Sequence, residues 1–215
     1  PQTLFASLVP VLVAGVVVSE TAYAVNSITL CVTAFCALSL QVLSNLINDY
    51  YDYLRGTDKA GRKGFKRALA EGEVTPKAML CACLLAAAVA CLLGLYLVYT
   101  GGVVILVIGL TALLFAWLYT ATPYSLSYLG IADIFVFLYY GVIACSGTAY
   151  LLLCGEEHTD GWNATILSSV YAGAVSGCIS MCVLMINNLR DIVSDRTVGK
   201  RTFPVRFGKN AAHIF

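Results

Sequence analysis

The chain has 215 residues, of which 60% are hydrophobic and 12% charged, and its mean hydropathy is +0.83. A soluble domain carries about 25% charged residues, so this composition excludes a water-soluble globule and marks an integral membrane protein. The net charge of +1 leaves no electrostatic footprint for nucleic acid.

A spanning helix needs roughly 20 apolar residues, and that criterion predicts helices over residues 4–22, 28–48, 77–99, 102–120, 131–153 and 164–187. The fold class is therefore all-α, a bundle of about six transmembrane helices in a single domain over residues 1–215. The first helix ends in Ala22-Tyr23-Ala24, which also reads as the small-residue cleavage site of a secretory signal. Counted as a span, it brings the helix count into agreement with the charge pattern described below.

The second predicted helix runs into NDYYDYLRGTD, residues 48–58, where Asn48 and Asp52 are four apart, with Asp49 between them and Asp58 beyond. Residues four apart share one helix face, so an amide oxygen and a carboxylate point the same way. Asp49 and the nearby Asn45 either support this cluster or face the headgroups. Next comes a basic stretch containing Arg55, Lys59, Arg62, Lys63, Lys66, Arg67 and Lys77. Cations beside clustered carboxylates suit phosphate binding, although each of them also fits an ordinary positive-inside loop.

After the fourth helix, residues 119–130 are uncharged and carry Tyr119, Tyr124 and Tyr128. They read either as an aromatic cover for a cationic intermediate or as an interfacial aromatic belt. Asp133 follows, as a site residue or a snorkelling one. The sixth helix ends in NNLRDIVSD, where Asn187 and Asp191 repeat the four-residue step and Asp195 follows, among Arg190, Arg196, Lys200, Arg201 and Arg206. Two such clusters facing each other would hold a hard cation such as Mg2+ bridged to phosphate.

All 13 Lys and Arg residues lie within 55–77 or 190–209, and the loop near residues 154–163 holds only acidic charges. Positive loops stay cytoplasmic, and six alternating spans put both basic segments on one face. Both Asn/Asp clusters are thus expected on the cytoplasmic side of the inner (cytoplasmic) membrane. The nine cysteines lack the paired spacing of a zinc site and read as small apolar fillers. An ion-coupled carrier is the competing class; it calls for carboxylates near the bilayer midplane.

On these motifs the chain resembles the UbiA superfamily of membrane prenyltransferases, most closely its 1,4-dihydroxy-2-naphthoate polyprenyltransferase branch. The likeness extends over nearly the whole chain: PQTLFASLVPVLVAG, NDYYDYLRGTD, ALAEGEVTP and NNLRDIVSDRTVGKRTFPVRFG all look like family segments. The resemblance implies that Asn48, Asp49, Asp52, Asp58, Asn187, Asp191 and Asp195 bind Mg2+ and an allylic diphosphate. It assigns Arg62, Arg67, Lys200 and Arg201 to the diphosphate and Tyr119 to the pocket. It further implies transfer of a polyprenyl group from polyprenyl diphosphate to 1,4-dihydroxy-2-naphthoate, with 4-hydroxybenzoate as an alternative acceptor. The step from Asp52 to Asp58 departs from the four-residue step of 4-hydroxybenzoate prenyltransferases and favours the naphthoate branch. The family bundle has about nine helices, so this chain is expected to be C-terminally truncated relative to it.

Overall fold

The computed structural model describes residues 2–56, 67–121, 125–156 and 160–214, and among them there are helices and turns but no strand. Helix α1 covers Gln2–Ser19, α2 Ser27–Leu54 and α3 Pro76–Leu118. The short α4 (Leu126–Leu129) leads into α5 (Ala132–Phe137), a π-helical stretch (Leu138–Ile143) and α6 (Ala144–Leu153), which run on as one apolar rod. Helix α7 covers Asp160–Arg190, α8 Ile192–Thr197 and α9 Phe203–Ile214.

Four of these units, Ser27–Leu54, Pro76–Leu118, Ala132–Leu153 and Asp160–Arg190, are long and apolar enough to cross a membrane, and α1 is a shorter apolar helix beside them. The molecule is a multi-pass membrane protein. Two predicted spans, 77–99 and 102–120, merge into the 43-residue α3, which ends at Leu118. The reason is Gly102, whose φ of 65° and ψ of −151° break the helix in a region open almost only to glycine. The two arms fold back on each other there: Leu97 and Ile105 share one apolar cluster, and Cys83, Leu113 and Ala121 another. The predicted pair is thus a helical hairpin that turns at Gly102.

Local signals set the other ends. Asn26 caps α2 by accepting from the Thr29 amide at 3.0 Å, and Thr75 caps α3 ahead of Pro76 at the first helical position, both favoured arrangements. Helix α2 continues six residues past its predicted end, so Asn48, Asp49 and Asp52 ride on its last two turns rather than on a loop. The basic tail forms α8 and α9, with Lys200 and Arg201 in the link between them.

Packing relies on small residues, as membrane helices do when backbones must approach closely. A Cβ on Gly141 would come within 2.5 Å of the Gly173 carbonyl oxygen and the Gly177 Cα, so the π-helical stretch and α7 touch backbone to backbone. Ala14 and Val18 of α1 are buried against Cys145, Ala149, Leu152 and Leu153 of α6, which makes α1 a member of the bundle core. The outward faces carry exposed Leu84, Leu85, Leu92, Leu95 and Val103, apolar surface suited to lipid.

Candidate active site

Three helix ends converge at one end of the bundle: the last turns of α2, the end of α3 and the α7–α8 junction. Asp52 is 2% exposed, and both of its carboxylate oxygens accept from Lys200 Nζ, at 3.2 and 3.1 Å. One turn earlier, Asn48 donates through Nδ2 to Thr120 Oγ1 at 2.9 Å and accepts at Oδ1 from Arg67 Nη2 at 3.0 Å. Arg55 donates to the Thr120 carbonyl. The two copies of the motif therefore meet through Lys200, which comes from the second basic segment to the first aspartate cluster.

On the other side, Asp191 takes a two-pronged contact from Arg190, Nε to Oδ1 at 3.0 Å and Nη2 to Oδ2 at 2.8 Å. Asp195 is buried; Thr202 Oγ1 donates to its Oδ2 at 3.5 Å, and the Lys200 amide donates to its backbone carbonyl at 2.9 Å. This ties the loop carrying Lys200 to α8. Asn187 is half-buried one turn before Asp191, Asp49 is buried on α2, and Arg201 is exposed. Asp58 and Arg62 lie outside the described residues, as does Tyr124.

Tyrosines close the polar cluster. The Arg55 guanidinium lies over the Tyr128 ring at 5.2 Å and over Tyr51 at 5.9 Å, and Lys200 Nζ lies 5.8 Å from the Tyr128 ring centre. Tyr128 is therefore part of the site and not only a belt residue, with cations on its face. Tyr119 lies within electrostatic reach of both Asp52 and Asp195. It also lines an apolar cavity of about 400 Å³ between α1, α2, α3 and the α5–α6 rod, with Leu40, Ala112, Phe115, Phe135 and Tyr140 among its walls. One phenol thus joins a charged end to a greasy interior.

Sequence reasoning missed Thr120. It is 1% exposed and links α2 to α3 through Asn48 and Arg55; its only mark in the sequence was a polar side chain in an otherwise tyrosine-rich connection. Gly130 was also missed. Its φ is +73°, and a Cβ there would collide with the Arg201 carbonyl oxygen, so this glycine lets the segment after Lys200 lie against the uncharged loop. Among the described residues no three His, Cys, Asp or Glu side chains form a closed cage for a metal. The donor set is one of hard oxygens, and Asp52 already grips one cation with both oxygens, the chemistry that suits Mg2+ shared with a phosphate ligand.

The chain is thus a membrane helix bundle with paired acid and base clusters at one end, beside an apolar cavity. The chain matches the model of the UbiA prenyltransferase family over residues 7–215, and it belongs to that family. It is 32% identical over 213 residues to a 1,4-dihydroxy-2-naphthoate octaprenyltransferase of Bacillus subtilis, covering 99% of this chain and 65% of that protein. It is 36% identical over 176 residues to the enzyme of the same name from Escherichia coli, covering 79% of this chain and 54% of that protein. The chain thus spans between half and two thirds of the length of these relatives. The solved structure of a UbiA homologue from Archaeoglobus fulgidus, bound to DMAPP and Mg2+, shares the fold with a TM-score of 0.66 at 17% identity, covering 98% of this chain and 68% of that one.

Proposed function

We propose that the protein carrying this chain transfers a polyprenyl group from polyprenyl diphosphate to 1,4-dihydroxy-2-naphthoate, releasing diphosphate and CO2 and yielding demethylmenaquinone in its hydroquinone form. The observation that carries this reading is the meeting of the two Asn/Asp segments through the Asp52–Lys200 pair at the mouth of an apolar cavity. A diphosphate belongs at the charged end and a prenyl chain in the cavity. The names of the B. subtilis and E. coli relatives support the naphthoate acceptor, and the DMAPP and Mg2+ bound to the archaeal homologue support an allylic diphosphate and a divalent cation.

Asn48, Asp49, Asp52 and Asp58 on one side and Asn187, Asp191 and Asp195 on the other would hold Mg2+, which supplies neutralisation of the diphosphate oxygens when bound. Arg62, Arg67, Lys200 and Arg201 take the remaining phosphate charge. As the allylic C–O bond breaks, its electron pair goes to the diphosphate, and preorganised cations stabilise that charge more than they stabilise the ground state. Tyr119 and Tyr128 present ring faces to the allylic cation. A ring carbon of the acceptor supplies the pair for the new C–C bond, and CO2 departs leaving its bonding pair to restore the aromatic ring.

The carrier reading calls for carboxylates at mid-membrane. Asp52 lies two residues from the end of α2 and Asp191 directly after α7, which favours the enzyme. The test uses membranes containing the full polypeptide, Mg2+, a polyprenyl diphosphate and either 1,4-dihydroxy-2-naphthoate or 4-hydroxybenzoate, with mass spectrometry of the lipid extract. Demethylmenaquinone formed from the naphthoate alone, and lost with EDTA, is the expected result. Prenylated hydroxybenzoate in its place, or no product from folded protein, would overturn the reading.

A further inference from the structure

The cavity above Tyr119 is lined almost throughout by carbon, and most of its polar side chains are already satisfied. Ser7 donates to the Leu4 carbonyl, Thr33 to that of Thr29 and Thr148 to that of Ala144. Gln41 is different. It is 5% exposed, it lines the cavity, and its Oε1 is buried with no hydrogen-bond partner among the described residues.

This amide is joined through its nitrogen to a polar relay between α1 and α2. Asn45 Nδ2 donates to Thr3 Oγ1 at 3.0 Å, and Asn45 Oδ1 accepts from Gln41 Nε2 at 3.1 Å and from Thr3 Oγ1 at 3.4 Å. With its nitrogen tied to Asn45, the Gln41 carbonyl is the group left without a donor among the described residues. A buried carbonyl without a donor is costly, and it calls for a donor from outside the chain. A prenyl chain has no donor to offer. An aromatic hydroxyl has one.

Position agrees with chemistry. Gln41, Asn48 and Asp52 recur at steps of seven and four residues, which places them on one face of α2. At 1.5 Å per residue Gln41 stands about 10 Å deeper than Asn48. A flat ring placed between Tyr119 and this amide would meet the allylic carbon on the side of the charged cluster and Gln41 on its far side.

We infer that Gln41 is the specificity-determining residue for the aromatic acceptor, accepting a hydrogen bond from one of its ring hydroxyls through Oε1 while Asn45 and Thr3 hold the amide in place. The inference rests on the functional reading above and names a subsite within it. It makes Gln41 a binding residue for the acceptor and not for the prenyl diphosphate.

The test takes the full polypeptide in membranes and measures KM for 1,4-dihydroxy-2-naphthoate and for polyprenyl diphosphate separately, in wild type and in Gln41→Met. The 1-O-methyl and 4-O-methyl ethers of the acceptor serve as competitive inhibitors. Loss of one neutral hydrogen bond predicts an acceptor KM raised about tenfold with the diphosphate KM unchanged. In wild type one ether binds about tenfold more weakly than the other; in Gln41→Met the two bind alike. An acceptor KM within about threefold of wild type, or a rise confined to the diphosphate, overturns the inference. Should Gln41→Met fail to fold, the ethers decide on wild type alone, and equal inhibition by both overturns it. No product from the naphthoate in wild type refutes the functional reading and this inference with it; product formation with indifferent ethers refutes Gln41 only.

Discussion

Lys200→Met tests whether the site is an electrostatic machine assembled from both halves of the sequence. The Lys200 and Asp52 side chains are 9% and 3% exposed and 3.1 Å apart, so solvent screens the pair little. Removing one partner of such a pair leaves a buried carboxylate uncompensated, at a cost of about 3–5 kcal/mol. At roughly 2–4 °C per kcal/mol for a chain of this size, the midpoint of thermal unfolding falls by about 6–20 °C. Asp52→Asn combined with Lys200→Met removes both charges, and the double variant recovers roughly 1–3 kcal/mol relative to the sum of the single losses. Divalent cation has a second effect: with Lys200 gone, Mg2+ becomes the counter-ion available to Asp52, so its stabilising effect is larger in Lys200→Met than in wild type. The assay is thermal unfolding of purified protein in detergent, with EDTA and then with Mg2+, beside turnover in membranes. Turnover falls on the order of 10²–10³-fold, the range for removing one preorganised group that meets developing charge. A midpoint and a Mg2+ response both equal to wild type would refute the claim that this pair holds the two motifs together.

Two further substitutions separate stability from chemistry. Asp191→Asn breaks a pair whose Arg190 side chain is 35% exposed, and after screening such a pair contributes about 0–1 kcal/mol. The thermal midpoint therefore stays close to wild type while turnover drops on the order of 10²-fold or more; equal losses in both measurements would mark Asp191 as structural. Gly130→Ala puts a methyl group against the Arg201 carbonyl at a positive φ and displaces the segment that aims Lys200. Turnover is expected to fall about 10–100-fold while membrane insertion, followed by protease protection of the loops, is unchanged. Full activity would show that this contact does not position the site.

Hydropathy made the bundle legible because lipid asks the same thing of every spanning residue, and the predicted spans map onto α1, α2, the two arms of α3, the α5–α6 rod and α7. It did not show that the α3 arms join without a loop. That depends on the φ of Gly102, and a glycine in an apolar run looks the same whether it turns the chain or packs a helix. The four-residue steps at Asn48–Asp52 and Asn187–Asp191 were legible because helical periodicity is local. Which cation meets which carboxylate was not: Lys200 is 148 residues from Asp52 yet pairs with it, whereas Asp191 takes its own neighbour Arg190. Such choices are made by tertiary packing, in which Gly130, Thr120 and Thr202 set distances without carrying charge. The same logic explains Gln41. In sequence it is one amide in an apolar helix, which fits a membrane residue satisfied by its neighbours equally well. Only when Thr3 on α1 is seen to hold Asn45, and Asn45 to take the Gln41 nitrogen, does the remaining carbonyl become a vacancy with a chemical requirement. The charged end of the site follows from motifs that the chain repeats, while the acceptor selection inferred for Gln41 rests on a three-residue polar relay between α1 and α2 that no single stretch of sequence contains.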